Sequence, residues 1–257
     1  MKKSNVYDGN KLKARIVSAA YNAKEGHVPS ALSILDIVWV LYNKVMNFKE
    51  NSSESDRFVL SKGHASLAIY AVLEELNVIP EVYLDEFCGY GAALGGHPDS
   101  QKVPCIEAST GSLGHGMPMA LGMALAAKIK KTGNKIFCVV GDGECNEGTI
   151  WEAALLASHH GLSNFVCIVD YNHSTDRALN LGDIAVKFSA FGWEAITING
   201  HDHQALHDAL TRRIETPLVV VCETIKGNGI KRMEGQPAWH HRSPSEDELN
   251  EILEELK

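Results

Sequence analysis

The chain alternates short apolar runs with amphipathic stretches. Residues 57–60, 136–140, 165–170, 193–198 and 218–222 are runs of strand length. Those at 136–140, 165–170 and 218–222 are continuously apolar, the mark of strands covered on both faces and so of a parallel sheet. Between the runs, apolar residues recur with helical spacing at 11–22, 34–45, 65–77, 117–130, 149–160 and 204–213, and a shorter helix ends at 188–192. Ser30 or Ser33 is placed to cap the second helix, and Ser245 with Glu248 forms a capping box for a last one. Nothing along the chain reads as an internal repeat or low-complexity linker. The predicted fold is α/β: a doubly wound, mostly parallel sheet with helices on both faces, residues 1–257 forming one domain.

The run at 136–140 ends in Gly141-Asp142-Gly143, a helix follows, and the next run closes at Tyr171-Asn172. Polar residues thus gather where strands stop, which is where open α/β sheets bind ligands. The glycines allow close backbone approach, and a carboxylate with an amide oxygen suits Mg²⁺ or Ca²⁺ holding a diphosphate. A net charge of −8 without a basic run argues against nucleic acid or an anionic membrane as partner. An anionic cofactor therefore needs metal, histidine or backbone N–H groups placed locally. The glycine spacing is wrong for a nicotinamide cofactor, and the acidic turn would repel a bare pyrophosphate. A Walker-type lysine loop is absent as well.

Other segments add candidate chemistry. Glu25-Gly26-His27-Val28-Pro29-Ser30 is a turn with His27 at its tip, on local grounds a capping or surface histidine as readily as a ligand. Ser61-Lys62-Gly63-His64 follows a strand and opens a helix, an anion-binding arrangement that favours His64. Residues 85–99 form a glycine-rich loop carrying His97, of a length more often functional or disordered than idle. In 107–116 the glycines serve either as helix–helix contact points or as a place for a flat ring to lie, with Leu113 between them. The six cysteines include no C-x-x-C pair and read as reduced residues of a cytoplasmic protein. Met1-Lys2-Lys3-Ser4-Asn5 has no apolar h-region behind it, so no secretion signal is expected. Residues 116–127 are the most membrane-like stretch, and about 12 residues cannot span a bilayer.

Gly-Asp-Gly followed about 30 residues later by asparagine is the spacing of a thiamine-diphosphate metal site, and the flanking segments agree with it. Through Gly26-His27, Ser61-Lys-Gly-His64-Ala, Gly96-His97-Pro-Asp, Ser109-Thr-Gly-Ser-Leu-Gly-His-Gly116, Gly141-Asp-Gly-Glu-Cys-Asn-Glu-Gly148, Trp151-Glu152-Ala, Asp170-Tyr-Asn172, Phe191-Gly-Trp193, Gly200-His-Asp202, Lys226-Gly-Asn-Gly229 and Trp239-His-His241, the chain resembles the N-terminal, diphosphate-binding part of transketolases. The resemblance implies that Asp142, Asn172 and the backbone carbonyl of Ser174 hold Mg²⁺ or Ca²⁺, and that His64, His240 and the Gly143 N–H meet the diphosphate. Gly141 and Glu144 belong to the same cofactor-binding turn, and Gly111 with Leu113 would meet the cofactor rings. His27, His97 and His240 would line the sugar funnel and move protons. Glu147 and Glu152 match acids that run towards a dimer interface and link active sites, where the plainer reading is a first-turn acid complementing a helix dipole.

The activity implied is transfer of a two-carbon ketol unit from a ketose or ketose phosphate to an aldose, with the cofactor carrying the difficult chemistry. The activating glutamate and the sugar-phosphate clamps of the family lie on a further domain. The chain is therefore expected to be the N-terminal subunit of a split transketolase, working with a C-terminal, pyrimidine-binding subunit in an α₂β₂ assembly. Three departures from the family pattern are Val28-Pro29-Ser30 after His27, His115 where glutamine is common, and the segment after Asn172, where Asp176 and Arg177 would serve an altered sugar. The rival readings are the alpha subunit of a 2-oxo acid dehydrogenase and a non-catalytic scaffold subunit.

Overall fold

The computed structural model describes residues 6–49, 52–176 and 179–257. The leader reading at Met1–Asn5 and the substrate reading of Arg177 therefore fall outside the described residues. The elements in order are α1 (Gly9–Ala23), α2 (Val28–Val40), β1 (Arg57–Leu60), α3 (Ser66–Glu75), α4 (Val82–Asp85), α5 (Gly116–Lys130), β2 (Ile136–Gly141), α6 (Gly148–His159), β3 (Phe165–Tyr171), α7 (Ile184–Ala190), β4 (Glu194–Asn199), α8 (His203–Thr211), β5 (Leu218–Glu223) and α9 (Glu246–Glu255). The strands form one parallel sheet in the order β1-β2-β3-β5-β4. Each strand needs a crossover to reach the next in parallel, and the intervening helices supply it.

Period-two side-chain geometry divides the central strands between two cores. Phe137, Val139, Val166 and Ile168 pack with α1, α2, α3, α8 and α9 on one face. Cys138, Val140, Cys167 and Val169 pack with α5, α6 and α7 on the other. β2 is buried along its whole length, as its continuous apolar run requires.

Two sequence expectations change here. The second helix starts at Val28, with His27 at its N-cap and Pro29 in the first turn, where a missing N–H costs nothing. Ser30 and Ser33 are consequently buried inside the helix and do not cap it. Second, among the described residues Val28–Val45, not 116–127, is the stretch long and apolar enough to cross a membrane by length and composition, and 89% of it is buried within the protein. Its one acid, Asp36, is answered by hydrogen bonds from Tyr7, His201, His203 and, at 3.5 Å, Asn228, so the helix serves as the core of one face. Short 3₁₀ turns at Gly63–Ala65 and Gly143–Asn146 lead into α3 and towards α6, each at the carboxyl end of a strand. Those two turns place the site.

Candidate active site

Beyond the carboxyl ends of β1, β2, β3 and β5 lies a cavity of about 300 Å³. Asp142 and Asn172 face it from the ends of neighbouring strands, with Gly141, Gly143 and Glu144 from the turn after β2 and Ser174 just past Asn172. His64, His27, His97 and His240 line it, together with Gly111 and Leu113. Three further residues line it that the sequence did not mark as site residues: Lys62, Lys226 and Ser30, the last read only as a helix cap. Both lysines lie inside the segments that carried the family resemblance, so the signal was present in Ser-Lys-Gly-His and Lys-Gly-Asn-Gly.

Two buried aspartates dominate the floor. Asp170 pairs with buried Lys62. Its Oδ1 also accepts from the hydroxyls of Ser33, at 2.7 Å, and Thr224, while Oδ2 accepts from Asn172 Nδ2 at 2.9 Å. Asn172 Nδ2 donates to Ser33 Oγ as well, at 3.0 Å. With both amide protons directed inward, Oδ1 of Asn172 must face outward, where it accepts from the backbone N–H of Ser174 at 3.2 Å and from the Ser174 hydroxyl.

Asp142 differs. Its Oδ1 accepts from Gly143 N at 2.7 Å, but Oδ2 is buried with no hydrogen-bond partner in the protein. Burial raises its pKa and nearby Asp170 adds to this, against the Gly143 hydrogen bond, Lys62 and the backbone N–H of Ser174. An orphaned carboxylate oxygen and an outward amide oxygen lining one cavity form a hard-ligand set suited to a divalent cation. Among the described residues no group of three or more His, Cys, Asp or Glu side chains is arranged to hold a metal. A cation here must therefore complete its shell from backbone and from the ligand's own oxygens, which a diphosphate provides.

The histidines form a cluster. The His27 ring lies 5.1 Å from His64, 5.4 Å from His240 and 4.4 Å from His241, centroid to centroid. Burial, then the Lys62 charge, pushes the pKa of His64 down to about 2. Burial and the neighbouring histidines push that of His27 down to about 4. Both rings are neutral near pH 7 and offer one N–H and one lone pair each. Lys226 Nζ donates to the Ser174 hydroxyl at 3.1 Å and lies 2.9 Å from His240 Nδ1. Because that lysine donates, Nδ1 of His240 carries the lone pair, and the ring proton sits on Nε2. Burial followed by Lys226 lowers the pKa of His240, in agreement with a neutral ring.

Glu144 acts as an anchor on the cavity's inner wall. Its Oε1 accepts from the Ser61 hydroxyl at 2.5 Å and Gly114 N at 2.8 Å, and Oε2 from Gly141 N at 3.2 Å. It ties the turn after β2 to the 109–116 loop that brings Gly111 and Leu113 to the cavity. The loop packs tightly: Gly114 has φ +81, and a Cβ there would stand 2.5 Å from Thr149 Oγ1. Glu147 and Glu152, by contrast, do not reach the cavity, and both are exposed. Glu147 is the N-cap residue of α6 without a side-chain capping bond, and Glu152 lies further along the same helix.

A second cavity of about 630 Å³ shares Asn172, Ser174, Lys226 and His240 with the first and extends past His173, Asp176 and Gln236. The segment that departs from the family pattern therefore walls the approach to the site. His115, the other exposed departure, lies 3.0 Å through Nδ1 from the Leu113 carbonyl. A larger groove of about 770 Å³ runs between α1 and the end of α3, remote from these residues.

Comparison with known proteins agrees with this geometry. Residues 8–256 match the family described as transketolase, thiamine diphosphate binding domain. The chain is 35% identical to one subunit of the apulose-4-phosphate transketolase of Phocaeicola vulgatus, across 96% of this chain and 91% of that one. The corresponding subunit from Actinobacillus succinogenes is 38% identical, across 94% and 91%. The crystal structure of transketolase from Campylobacter jejuni superposes with a TM-score of 0.90 at 29% identity, covering 98% of this chain and 43% of that one. Human transketolase is 35% identical, and the chain spans 41% of its length. On these matches the chain belongs to the transketolase family, as its thiamine diphosphate binding domain.

Proposed function

We propose that the whole chain acts as the diphosphate-binding, N-terminal subunit of a two-chain transketolase, with thiamine diphosphate and Mg²⁺ or Ca²⁺ as cofactors. The observation that carries this reading is the unpartnered, buried Oδ2 of Asp142 beside the outward amide oxygen of Asn172. Asp142, Asn172 and the Ser174 carbonyl would hold the metal, and His64, Lys226, His240 and the Gly143 N–H would meet the diphosphate. Gly111 and Leu113 would lie against the rings. Bound there, thiamine diphosphate supplies the electron sink that lets a carbon–carbon bond beside a carbonyl break and form.

The chain's own residues handle binding and protons. Neutral His27 presents a donor and an acceptor to sugar hydroxyls, His240 the Nε2–H that Lys226 leaves free, and His97 stands at the exposed rim. The apolar strands beneath exclude water from the floor. Glu147 and Glu152, exposed near the start of α6, would act between subunits, in an α₂β₂ assembly with a C-terminal, pyrimidine-binding partner. The similarity to two single subunits of other transketolases, over most of their length, supports a companion chain. Apulose 4-phosphate, the sugar in those relatives' names, is the substrate to test first. Six cysteines, four of them buried and none in a disulfide, support a cytoplasmic location.

The test is two-carbon transfer between sugar phosphates, assayed with the chain alone, its co-purified companion alone, and both mixed. Activity only in the mixture supports the proposal. Full transfer by the isolated chain, or decarboxylation of 2-oxo acids in its place, overturns it.

A further inference from the structure

Outside the cavity, a group of polar side chains closes around Asp36 on buried α2. Its Oδ2 lies 2.8 Å from His201 Nδ1, and Oδ1 lies 2.8 Å from His203 Nε2 and accepts from the Tyr7 hydroxyl at 2.6 Å. Burial opposes its ionisation, but these donors prevail and hold the carboxyl well below the usual carboxylate range. On the far side of its ring, His201 Nε2 lies 3.0 Å from the backbone N–H of Ile225 and accepts from it. Asn228 Nδ2 also lies 3.0 Å from His201 Nδ1 and reaches Asp36 Oδ2 at 3.5 Å. A lone pair at Nε2 and a proton at Nδ1 serve the Ile225 and Asp36 contacts at once, whereas a doubly protonated ring would set N–H against the Ile225 N–H.

Ile225 precedes Lys226. On the other side of that lysine, Gly227 N donates to the Pro29 carbonyl at 3.0 Å. Thr224, one residue before Ile225, donates through its hydroxyl to Asp170. The backbone carrying Lys226 is thus fixed at both flanks, and its ammonium reaches Ser174 and His240 in the cavity.

We propose that His201, oriented by Asp36, is a positioning residue for the cofactor site: its Nε2 fixes the Ile225 amide and so aims the Lys226 ammonium at the bound diphosphate. The inference rests on reading that cavity as the diphosphate site. Ile225 is 47% exposed, so an amide deprived of His201 finds water and the fold persists. What is lost is the aim of Lys226.

The test is calorimetric titration of the full chain, with Mg²⁺, against inorganic pyrophosphate and against thiamine diphosphate. His201→Asn keeps a donor towards Asp36 but does not reach Ile225, while His201→Gln places an amide oxygen near the Nε2 position. His201→Asn is expected to weaken both ligands about tenfold, the lower range for residues acting behind a ligand contact. His201→Gln should recover most of that loss. Because His201 acts through Lys226, His201→Asn combined with Lys226→Ala should bind no worse than Lys226→Ala alone. Additive losses in the double variant, or wild-type binding by His201→Asn, overturn the positioning role. A wild-type chain that binds neither ligand overturns the cofactor reading beneath it.

Discussion

Asp142 and Asp170 stand at the ends of adjacent paired strands, both buried, yet the chain treats them oppositely. Asp170 is met by a lysine, two hydroxyls and an amide, all from this chain. Asp142 has one buried oxygen that makes no hydrogen bond, and only the backbone N–H groups of Gly143 and Ser174 and the more distant Lys62 favour its charge. A buried carboxylate without a partner costs stability, so a chain that keeps one beside a fully satisfied neighbour holds it for something brought from outside. The first aspartate belongs to function and the second to the fold, and substitution should separate them.

The largest effect is expected at Asp170. Asp170→Asn strands the Lys62 ammonium in the interior and should destabilise the chain by about 3–5 kcal/mol in denaturant unfolding. Lys62→Met added to it should recover part of the loss, because the second charge then goes too. If Asp170→Asn leaves stability unchanged, the two aspartates are not different in kind.

Asp142→Asn should do the reverse, stabilising the cofactor-free chain by about 1–2 kcal/mol while removing metal-dependent cofactor binding. The sign follows from its raised pKa. The folded state holds this proton more tightly than the unfolded state, so the charged group weakens the fold above the ordinary carboxylate pKa and ceases to as pH falls. Thermal melts without cofactor check the first half, and a lower Tm in the variant would contradict it.

Acid should act through the histidines with the opposite sign. His27 and His64 are held neutral well below the ordinary histidine pKa of 6.5. Between that value and their folded pKa values the unfolded chain binds protons that the fold refuses, so stability falls as pH drops from 7 to 5. For His64 the loss is on the order of 1 kcal/mol after allowing for solvent screening. A His64→Gln chain should lose correspondingly less over the same interval, measured by melts at the two pH values. The smallest effect is expected at Glu152, exposed and outside the cavity: Glu152→Gln should change the isolated chain's stability by under about 0.5 kcal/mol and leave its cofactor affinity intact.

Much of this contrast was legible from residues alone. Continuous apolar runs marked the strands because both faces of a parallel sheet are covered, and β1 matched its predicted range, residues 57–60. Asp142 and Asn172 stood out because strand ends gather ligands. Asp170 did not, since an acid closing a strand looks like any polar terminus until Ser33, Lys62 and Thr224 arrive from distant parts of the chain. The start of α2 was misplaced for a related reason: serines read as caps when the partner that buries them cannot be seen. The role of His201 was equally hidden, because the partners of its ring lie on α2 and after β5.

The most direct measurement of the central claim is Mn²⁺ binding to the full chain, followed by electron paramagnetic resonance with and without thiamine diphosphate. The expected result is one Mn²⁺ held per wild-type chain only when the cofactor is present, and none held by Asp142→Asn under the same conditions. Retention of the ion by Asp142→Asn, or its absence from the wild type with saturating cofactor, would contradict the assignment of that unpartnered oxygen.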